Sequence, residues 1–288
     1  MSVSLSTVPI RASVILATFD QPRLLALALC GYAGQTEREF EIVVADDGSR
    51  DETREVVDAH VRRSGLAIRH VWQPHRGFWK SAALNRAVLH SCGEHLIFSD
   101  GDCVPSRSFV AEHLAAARPN AFIVGGHVRL SERETRAVTP EHVASGSLDR
   151  APSLHTRTRL WWTHAKSLAY IALRRPRRPR LLGLNFSVDR RSFFAVNGFD
   201  ATYRNSARDD SDLRNRLLLA GVQPISLWHR ARVVHLFHPP HPERQLWREA
   251  DRYYQRIDLR PEAPRGLREL AQELRAEAQG SRIRSLPA

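Results

Sequence analysis

The sequence is poor in cysteine, in lysine and in long apolar runs. Its three cysteines, Cys30, Cys92 and Cys103, are odd in number and far apart. They form no Cys-x-x-Cys pair, which excludes a disulfide framework and makes a reducing cytoplasm the simplest compartment. Only Lys80 and Lys166 are lysines, so the positive charge is almost all arginine. No apolar stretch approaches the about 18 residues of a membrane span; residues 24–34 are the longest of note. The opening MSVSLSTVPIRAS has neither a basic start nor the apolar length of a signal peptide, so a cytoplasmic location is expected. No internal repeat is visible, and no helix-turn-helix, RNA-recognition or zinc-finger signature appears.

What is present is ordinary globular material. The chain has 288 residues, 42% hydrophobic and 26% charged, enough for one large domain or two modest ones. Aliphatic and aromatic residues run through most of it, which excludes disorder as its main state. Lys and Arg number 43 against 31 Asp and Glu, a net charge of +12. An arginine excess reflects either a compositional bias or contact with phosphate, which guanidinium recognises well. Charge alone does not choose between nucleic acid, anionic lipid and a phosphorylated substrate.

The first 130 residues alternate strand and helix. Residues 12–19 (ASVILATF) read as a buried strand, and Pro22 opens an apolar helix. Residues 41–45 form a second strand, and Ser49 to Glu52 match a capping box for the next helix. Strands at 68–72, 94–99 and 122–128 alternate with helices at 79–89 and 109–117. Such alternation implies an α/β fold with a parallel, doubly wound sheet, which binds ligands beyond the carboxyl ends of its strands. The pattern breaks over 131–180, a basic and aromatic stretch with Trp161, Trp162 and the run Arg174-Arg175-Pro176-Arg177-Arg178-Pro179-Arg180. It resumes with a strand at 183–188, helices at 191–196 and 210–219, a strand-like segment at 225–237 and a polar helical tail.

Acidic residues gather at the element ends. Asp100-Gly101-Asp102 follows the strand EHLIFS directly. Two carboxylates there can turn to a common cation if the backbone bends at Gly101; a plain Asp-Gly turn is the alternative. Mg2+ or Mn2+ suits such oxygen ligands. Asp46-Asp47-Gly48-Ser49 ends the second strand, either as a helix cap or as an acceptor for nucleobase or ribose donors. Asp209, Asp210 and Asp212 precede and enter the helix LRNRLLLAG. Mutual repulsion raises the proton affinity of one of them, and a raised carboxylate is a general-base candidate. His235, His238 and His241 recur every third residue, but Pro239, Pro240 and Pro242 exclude a helix. His235, at the end of an apolar run, is the candidate ligand among them.

In this order the pieces resemble the family-two inverting nucleotide-sugar glycosyltransferases of the GT-A fold. The matching segments are SVILATFDQPRLLALAL at Ser13, IVVADDGSRDET at Ile42, RGFWKSAALNRAV at Arg76 and LIFSDGDCVPS at Leu96. The later GLNFSVDRRSFFAVNGFDATY, RDDSDLRNRLLLAG and VVHLFHP are similar to the galactosyltransferase-type C-terminal region of bacterial polysaccharide and lipopolysaccharide-core transferases.

The resemblance implies roles. Asp47 would bind the uracil of a UDP-sugar donor, and Thr18 and Phe19 would line the nucleotide pocket. Arg76 and Lys80 would face the donor. Asp102 would be the principal ligand of a Mn2+ or Mg2+ cofactor, with His235 completing the metal shell and Asp100 near the ribose. Asp210 would be the catalytic base, and Asn185 and Asp209 would face sugar or acceptor. Residues 1–130 would then be the nucleotide-sugar-binding half, 131–180 an insertion, 181–240 the acceptor and base half, and 241–288 a helical tail. Asp209-Asp210 departs from the family's usual Glu-Asp, and Ser206-Ala207 from its preceding Trp-Gly.

The implied reaction is an inverting transfer to a hydroxyl of a glycan or lipid-linked acceptor. The arginine run suggests contact with the anionic inner membrane face at about 1 kcal/mol per residue, or a grip on an acidic acceptor; a solvated loop is the plain alternative. A nucleic-acid binder or an inactive sugar-binding scaffold are the rival readings. Missing signatures and the acids at three element ends weigh against the first, so no nucleic-acid partner is expected. The joint presence of Asp100, Asp102 and Asp210 weighs against the second.

Overall fold

The computed structural model describes residues 9–149, 153–204, 208–239 and 260–284. The first half follows the alternation. Strands β1 (Ala12–Thr18), β2 (Phe40–Asp46), β3 (Ala67–Trp72) and β4 (His95–Asp100) are joined by helices α1 (Pro22–Ala33), α2 (Asp51–Ser64) and α3 (Lys80–Leu89). β1 pairs in parallel with β2 and β4, and β2 in parallel with β3. β1 and β2 are buried along their whole length, which is why they are rich in aliphatic residues; the interspersed Ser13 and Glu41 satisfy each other at 2.6 Å.

Beyond β4 come β5 (Cys103–Pro105), α4 (Phe109–Ala116), β6 (Ala121–Arg129), the short helices α5 (Glu132–Ala137) and α6 (Pro140–Ala144), and the long helix α7 (Leu154–Ala172). Then follow β7 (Asn185–Asp189), α8 (Arg190–Ala195), α9 (Asp209–Leu219), β8 (Gln223–His235) and α10 (Leu267–Arg284). All eight strands form one sheet in the order β3-β2-β1-β4-β7-β6-β8-β5.

The sheet is mixed: the parallel pairing expected from the alternation holds for β1 to β4, and antiparallel strands are added beyond them. β7 runs antiparallel between β4 and β6, and β5 antiparallel to β8. The chain reaches β7 only after the excursion through α5, α6 and α7, and then slots back beside β4. Stretch 131–180 is therefore not a break in order but mostly helix. It escapes an alternating pattern because α7 buries only a narrow stripe, Leu160 and Ser167 being its buried residues. Of the expected helical tail, residues 240–259 lie outside the described residues, 260–266 are not helical, and α10 spans Leu267–Arg284.

Two cores sandwich the sheet. Val14 and Leu16 of β1 face Leu25 and Leu29 of α1, Val57 of α2 and Phe109 of α4. Ile15 and Ala17 face the other side, with Leu84 and Val88 of α3, Leu160 of α7 and Leu213 and Leu217 of α9. Phe98 of β4 stacks on Phe186 of β7 at 4.6 Å and 5°, with Phe193 and Phe199 against its other sides. This cluster joins the parallel half to the mixed half, and truncating such a buried Phe to Ala costs about 3–5 kcal/mol.

Candidate active site

Three strand ends and two helix starts meet on one edge of the sheet. The short β5 brings the first group together. Its Cys103 pairs with His235 of β8, and the Leu236 N–H donates to the Asp102 carbonyl at 2.9 Å. Asp102, from the loop after β4, thus lies against the end of β8. Its Oδ2 is 3.0 Å from His238 Nε2 and its Oδ1 3.8 Å from His235 Nε2. One ligand atom from each of the three residues lies within 4.8 Å of the others.

Gly101 has its own reason to be glycine. A Cβ there would stand 3.1 Å from the Ala17 carbonyl, so the loop packs flat on the end of β1. Burial works to raise the Asp102 pKa, but the His238 hydrogen bond and the His235 charge outweigh it, and the carboxyl sits below its ordinary value. The His238 pKa is correspondingly raised by its bond to Asp102.

His238 was not among the residues chosen from sequence; its spacing made it equal to its neighbours, and only the β5–β8 pairing singles it out. His241 lies outside the described residues.

The start of α3 gathers the second group residue by residue. The Trp79 N–H donates to Asp47 Oδ2 at 2.6 Å, Lys80 Nζ pairs with Asp100, and Ser81 Oγ donates to Asp209 Oδ2 at 3.3 Å. Burial acts against the charge on Lys80, yet Asp100 and Asp209 overcome it and hold its pKa above the ordinary lysine value. Asp209 is buried beside Asp210, and both effects push its pKa up to about 6 despite Lys80. Asp210, its neighbour in the first turn of α9, is half-buried. Arg208 before them is held at φ 94°, a left-handed conformation that is costly for a residue with a Cβ. Asp212, the third acid of this run, is fully buried in an ion pair with Arg216 at 2.7 Å. Arg216 in turn donates to the carbonyls of Val196 and Gly198, fixing α9 to the loop after α8.

On the donor side, Asp46 and Asp47 divide their work. Asp46 Oδ1 accepts the Gly48 and Ser49 N–H groups and its Oδ2 is bonded to His70, so it shapes the turn. Asp47 accepts from Gln73 at 2.7 Å and from Trp79, and burial raises its pKa against those bonds. The Ser49 capping box does not form: Ser49 Oγ instead accepts the Asp20 N–H at 2.9 Å, and α2 starts with no side-chain cap. Phe19 stacks on His75 at 4.5 Å. Thr18 Oγ1 is buried with no hydrogen-bond partner among the described residues. Arg76 is exposed on the loop between β3 and α3.

Asn185 does not join this group. It is fully buried, and its amide nitrogen donates to the Gly126 and Ala231 carbonyls while Oδ1 contacts His113 at 3.1 Å. Its amide is taken up inside the sheet, where the register shift between Gly125 and Gly126 turns those carbonyls toward it. A Cβ on Gly125 would stand 2.2 Å from Asn185 Oδ1, so glycine is required there. The expected contact of Asn185 with sugar or acceptor is corrected on this ground. Ser206 and Ala207 lie outside the described residues.

Comparison with known proteins places this mixed sheet, with its acid-lined strand ends, in a family. The sequence model of glycosyl transferase family 2 matches residues 13–178, and that of the N-terminal domain of galactosyltransferase matches residues 169–241. The chain belongs to glycosyl transferase family 2, a family of enzymes. It is 28% identical over 225 residues to the validoxylamine A glucosyltransferase of Streptomyces hygroscopicus subsp. jinggangensis, covering 73% of this chain and 52% of that one. The chain thus spans about half the length of that curated relative.

Among solved structures, the Pyrobaculum calidifontis mannosyltransferase PcManGT, in complex with GDP-Man and Mn2+, superposes with a TM-score of 0.56 at 22% identity, covering 82% of this chain and 59% of that one. S. aureus TarS 1-349 in complex with UDP-GlcNAc gives 0.55 at 15% identity over 81% and 60% of the two chains. The fold is that of the GT-A glycosyltransferases.

Proposed function

We propose that the protein is an inverting glycosyltransferase that moves a sugar from a UDP-sugar to a hydroxyl of a glycan or lipid-linked acceptor. The reading rests above all on the start of α3, where three successive residues tie Asp47, Asp100 and Asp209 to one spot. In this reading Asp47 accepts from the base, with Phe19 and the unpaired Thr18 hydroxyl beside it. Lys80 faces the donor's negative charge, Arg76 reaches it from the loop, and Asp100 approaches the ribose. The two solved relatives carry different nucleotides, GDP and UDP, so the base is assigned here on Asp47 alone.

Asp102, His235 and His238 fit a divalent cation. His238 Nδ1 contacts the Pro239 carbonyl at 2.8 Å, so the neutral ring carries its lone pair on Nε2. That lone pair faces the Asp102 carboxylate at 3.0 Å, and two acceptors face to face require a proton or a cation between them. Two imidazoles with one carboxylate favour Mn2+ over Mg2+, which prefers an all-oxygen shell. When bound, the cation supplies Lewis-acid neutralisation of charge on the departing diphosphate. Asp210, half-buried beside the buried Asp209, takes the proton from the attacking acceptor hydroxyl. A single displacement needs no covalent enzyme intermediate, and the anomeric configuration inverts.

A thermal-shift panel of nucleotide sugars with and without Mn2+ tests donor and cation together. The largest shift is expected for a UDP-sugar with Mn2+. A GDP-sugar giving the larger shift removes the Asp47 assignment, and a shift indifferent to Mn2+ removes the cation site.

A further inference from the structure

Charge is distributed very unevenly along this chain. Residues 151–188 hold eight Lys or Arg and no Asp or Glu, which is two thirds of the net +12. They comprise α7, the arginine loop after it and the approach to β7. α7 packs one stripe on β8: Leu160 and Ser167 are buried, and His164 bonds Ser226 at 3.0 Å. At 100° per residue, Leu154, Trp161, Ala165, Leu168 and Ala172 line a second stripe about a third of a turn round the helix from the buried one, and Trp162 lies opposite the buried stripe. Their large side chains are exposed: Leu154 is 75% accessible, Trp161 55% and Trp162 67%. The two indoles meet edge to face at 5.3 Å. An exposed apolar stripe along a basic, acid-free helix is unlike a fully solvated helix.

The loop after α7 is a fixed turn and not a slack linker. Arg174 and Arg177 sit at φ 46° and 59°, left-handed conformations disfavoured for residues with a Cβ. Arg178 lies over the Tyr170 ring at 5.3 Å. Between this loop and the C-terminal end of α9 lies a groove of about 740 Å³, rimmed by Arg174, Arg175, Arg177 and Arg178 and floored by Leu218 and Val222. It also borders Gln223 and Pro224, at the opposite end of β8 from His235. Guanidiniums over an apolar floor match an anionic headgroup with hydrocarbon beneath it.

We propose that the outer face of α7 and the arginine loop together form a docking surface for a bilayer of anionic phospholipid. Trp161 and Trp162 enter the headgroup boundary, where amphipathic rings are favoured. The arginines hold the lipid phosphates, and the missing acids leave nothing to oppose them. The inference deepens the lipid-linked acceptor reading and rests on it for its purpose, but its test does not use transfer.

The experiment is co-sedimentation of the full chain with vesicles of phosphatidylcholine, with and without phosphatidylglycerol, across a salt series. The wild type is expected to bind the anionic vesicles, to release them as salt rises, and to ignore the neutral ones. W161A/W162A is expected to lose binding by about tenfold or more. R174Q/R175Q/R177Q/R178Q is expected to bind weakly with a flattened salt dependence. Melting temperatures confirm that both variants are folded.

Unchanged vesicle binding by the tryptophan variant overturns the proposal. So does equal binding of the wild type to neutral vesicles, or a wild-type dimer that the tryptophan variant breaks, which would assign the face to a second copy. A thermal shift with UDP and Mn2+ is run alongside. Absent vesicle binding with that shift intact sinks the docking surface alone, whereas an absent shift with vesicle binding intact sinks the donor reading alone.

Discussion

Two polar clusters share strand β4 and meet opposite fates. In the interior, His95 at the start of β4 contacts Ser187 Oγ at 2.8 Å, Ser187 contacts His113 at 2.8 Å, and His113 contacts Asn185. The Asn185 amide nitrogen donates to two carbonyls, so its oxygen accepts from His113. A neutral His113 then accepts from the Ser187 hydroxyl, which accepts from His95. Every donor has one acceptor and the chain is closed. Burial pushes the pKa of His95 down to about 4 and that of His113 down to about 3.

At the rim, the end of the same β4 carries Asp100 and Asp102 beside His235, His238, Lys80 and Asp209. There carboxylates outnumber Lys80, and Thr18 Oγ1 lacks a partner among the described residues. The lesson is that a polar residue's type does not mark function. A cluster that its own chain satisfies is structure, and one left in imbalance awaits a ligand.

The contrast can be broken at several points. Asp210→Asn should reduce transfer about 1,000-fold, roughly 4 kcal/mol of barrier, while UDP-sugar binding by calorimetry stays within about twofold. Normal turnover would remove Asp210 as the base. His113→Leu should do the reverse. It leaves Ser187 and Asn185 unmatched in the core and should cost about 2–4 kcal/mol in urea unfolding, with turnover per folded molecule retained.

The interior histidines also set an acid limit. Their folded pKa values lie below the ordinary 6.5, so above that pH they contribute nothing, and protons favour the unfolded chain as pH falls through 6.5 toward 4 and 3. Each should cost about 1.4 kcal/mol per pH unit across that window.

Asp209 carries the opposite sign. Its raised pKa penalises the folded state fully above about 6, and the penalty fades as pH falls toward the ordinary carboxyl value. Asp209→Asn should therefore stabilise the fold at pH 8 by about 2 kcal/mol, lose that gain by pH 4, and show a steeper acid loss than the wild type. An Asp209→Asn melting curve identical to the wild type at both pH values would contradict the burial argument. The smallest effect is expected for His238→Ala, which should weaken Mn2+ affinity about tenfold; calorimetry with the metal alone reads it.

Much of the fold was legible in the sequence. β1, β2 and β4 carry apolar runs ending in acid or turn residues, and these mark a strand and its functional end at once. β5 escaped because three residues carry no periodicity, and β5 is the strand that selects His238 over its neighbours. α7 escaped because an exposed apolar stripe runs beside its narrow buried one, which blurs the period that a helix core face would show. Asn185 was misplaced because its inward direction depends on a bulge in a strand distant in sequence. Asp212 looked like part of an acidic excess, but Arg216 one turn later accounts for it.

The scarcity of lysine gives the Lys80–Asp100 pair a practical use. Amine-reactive acylating reagents attack only the neutral amine, and Lys80 is held in its charged form by two carboxylates. Lys166 stands exposed on α7. Mass spectrometry of a briefly labelled sample should thus find the tag on Lys166 and not on Lys80. Its appearance on Lys80 in an Asp100→Asn sample would report, at one atom, that the clasp across the cleft has opened.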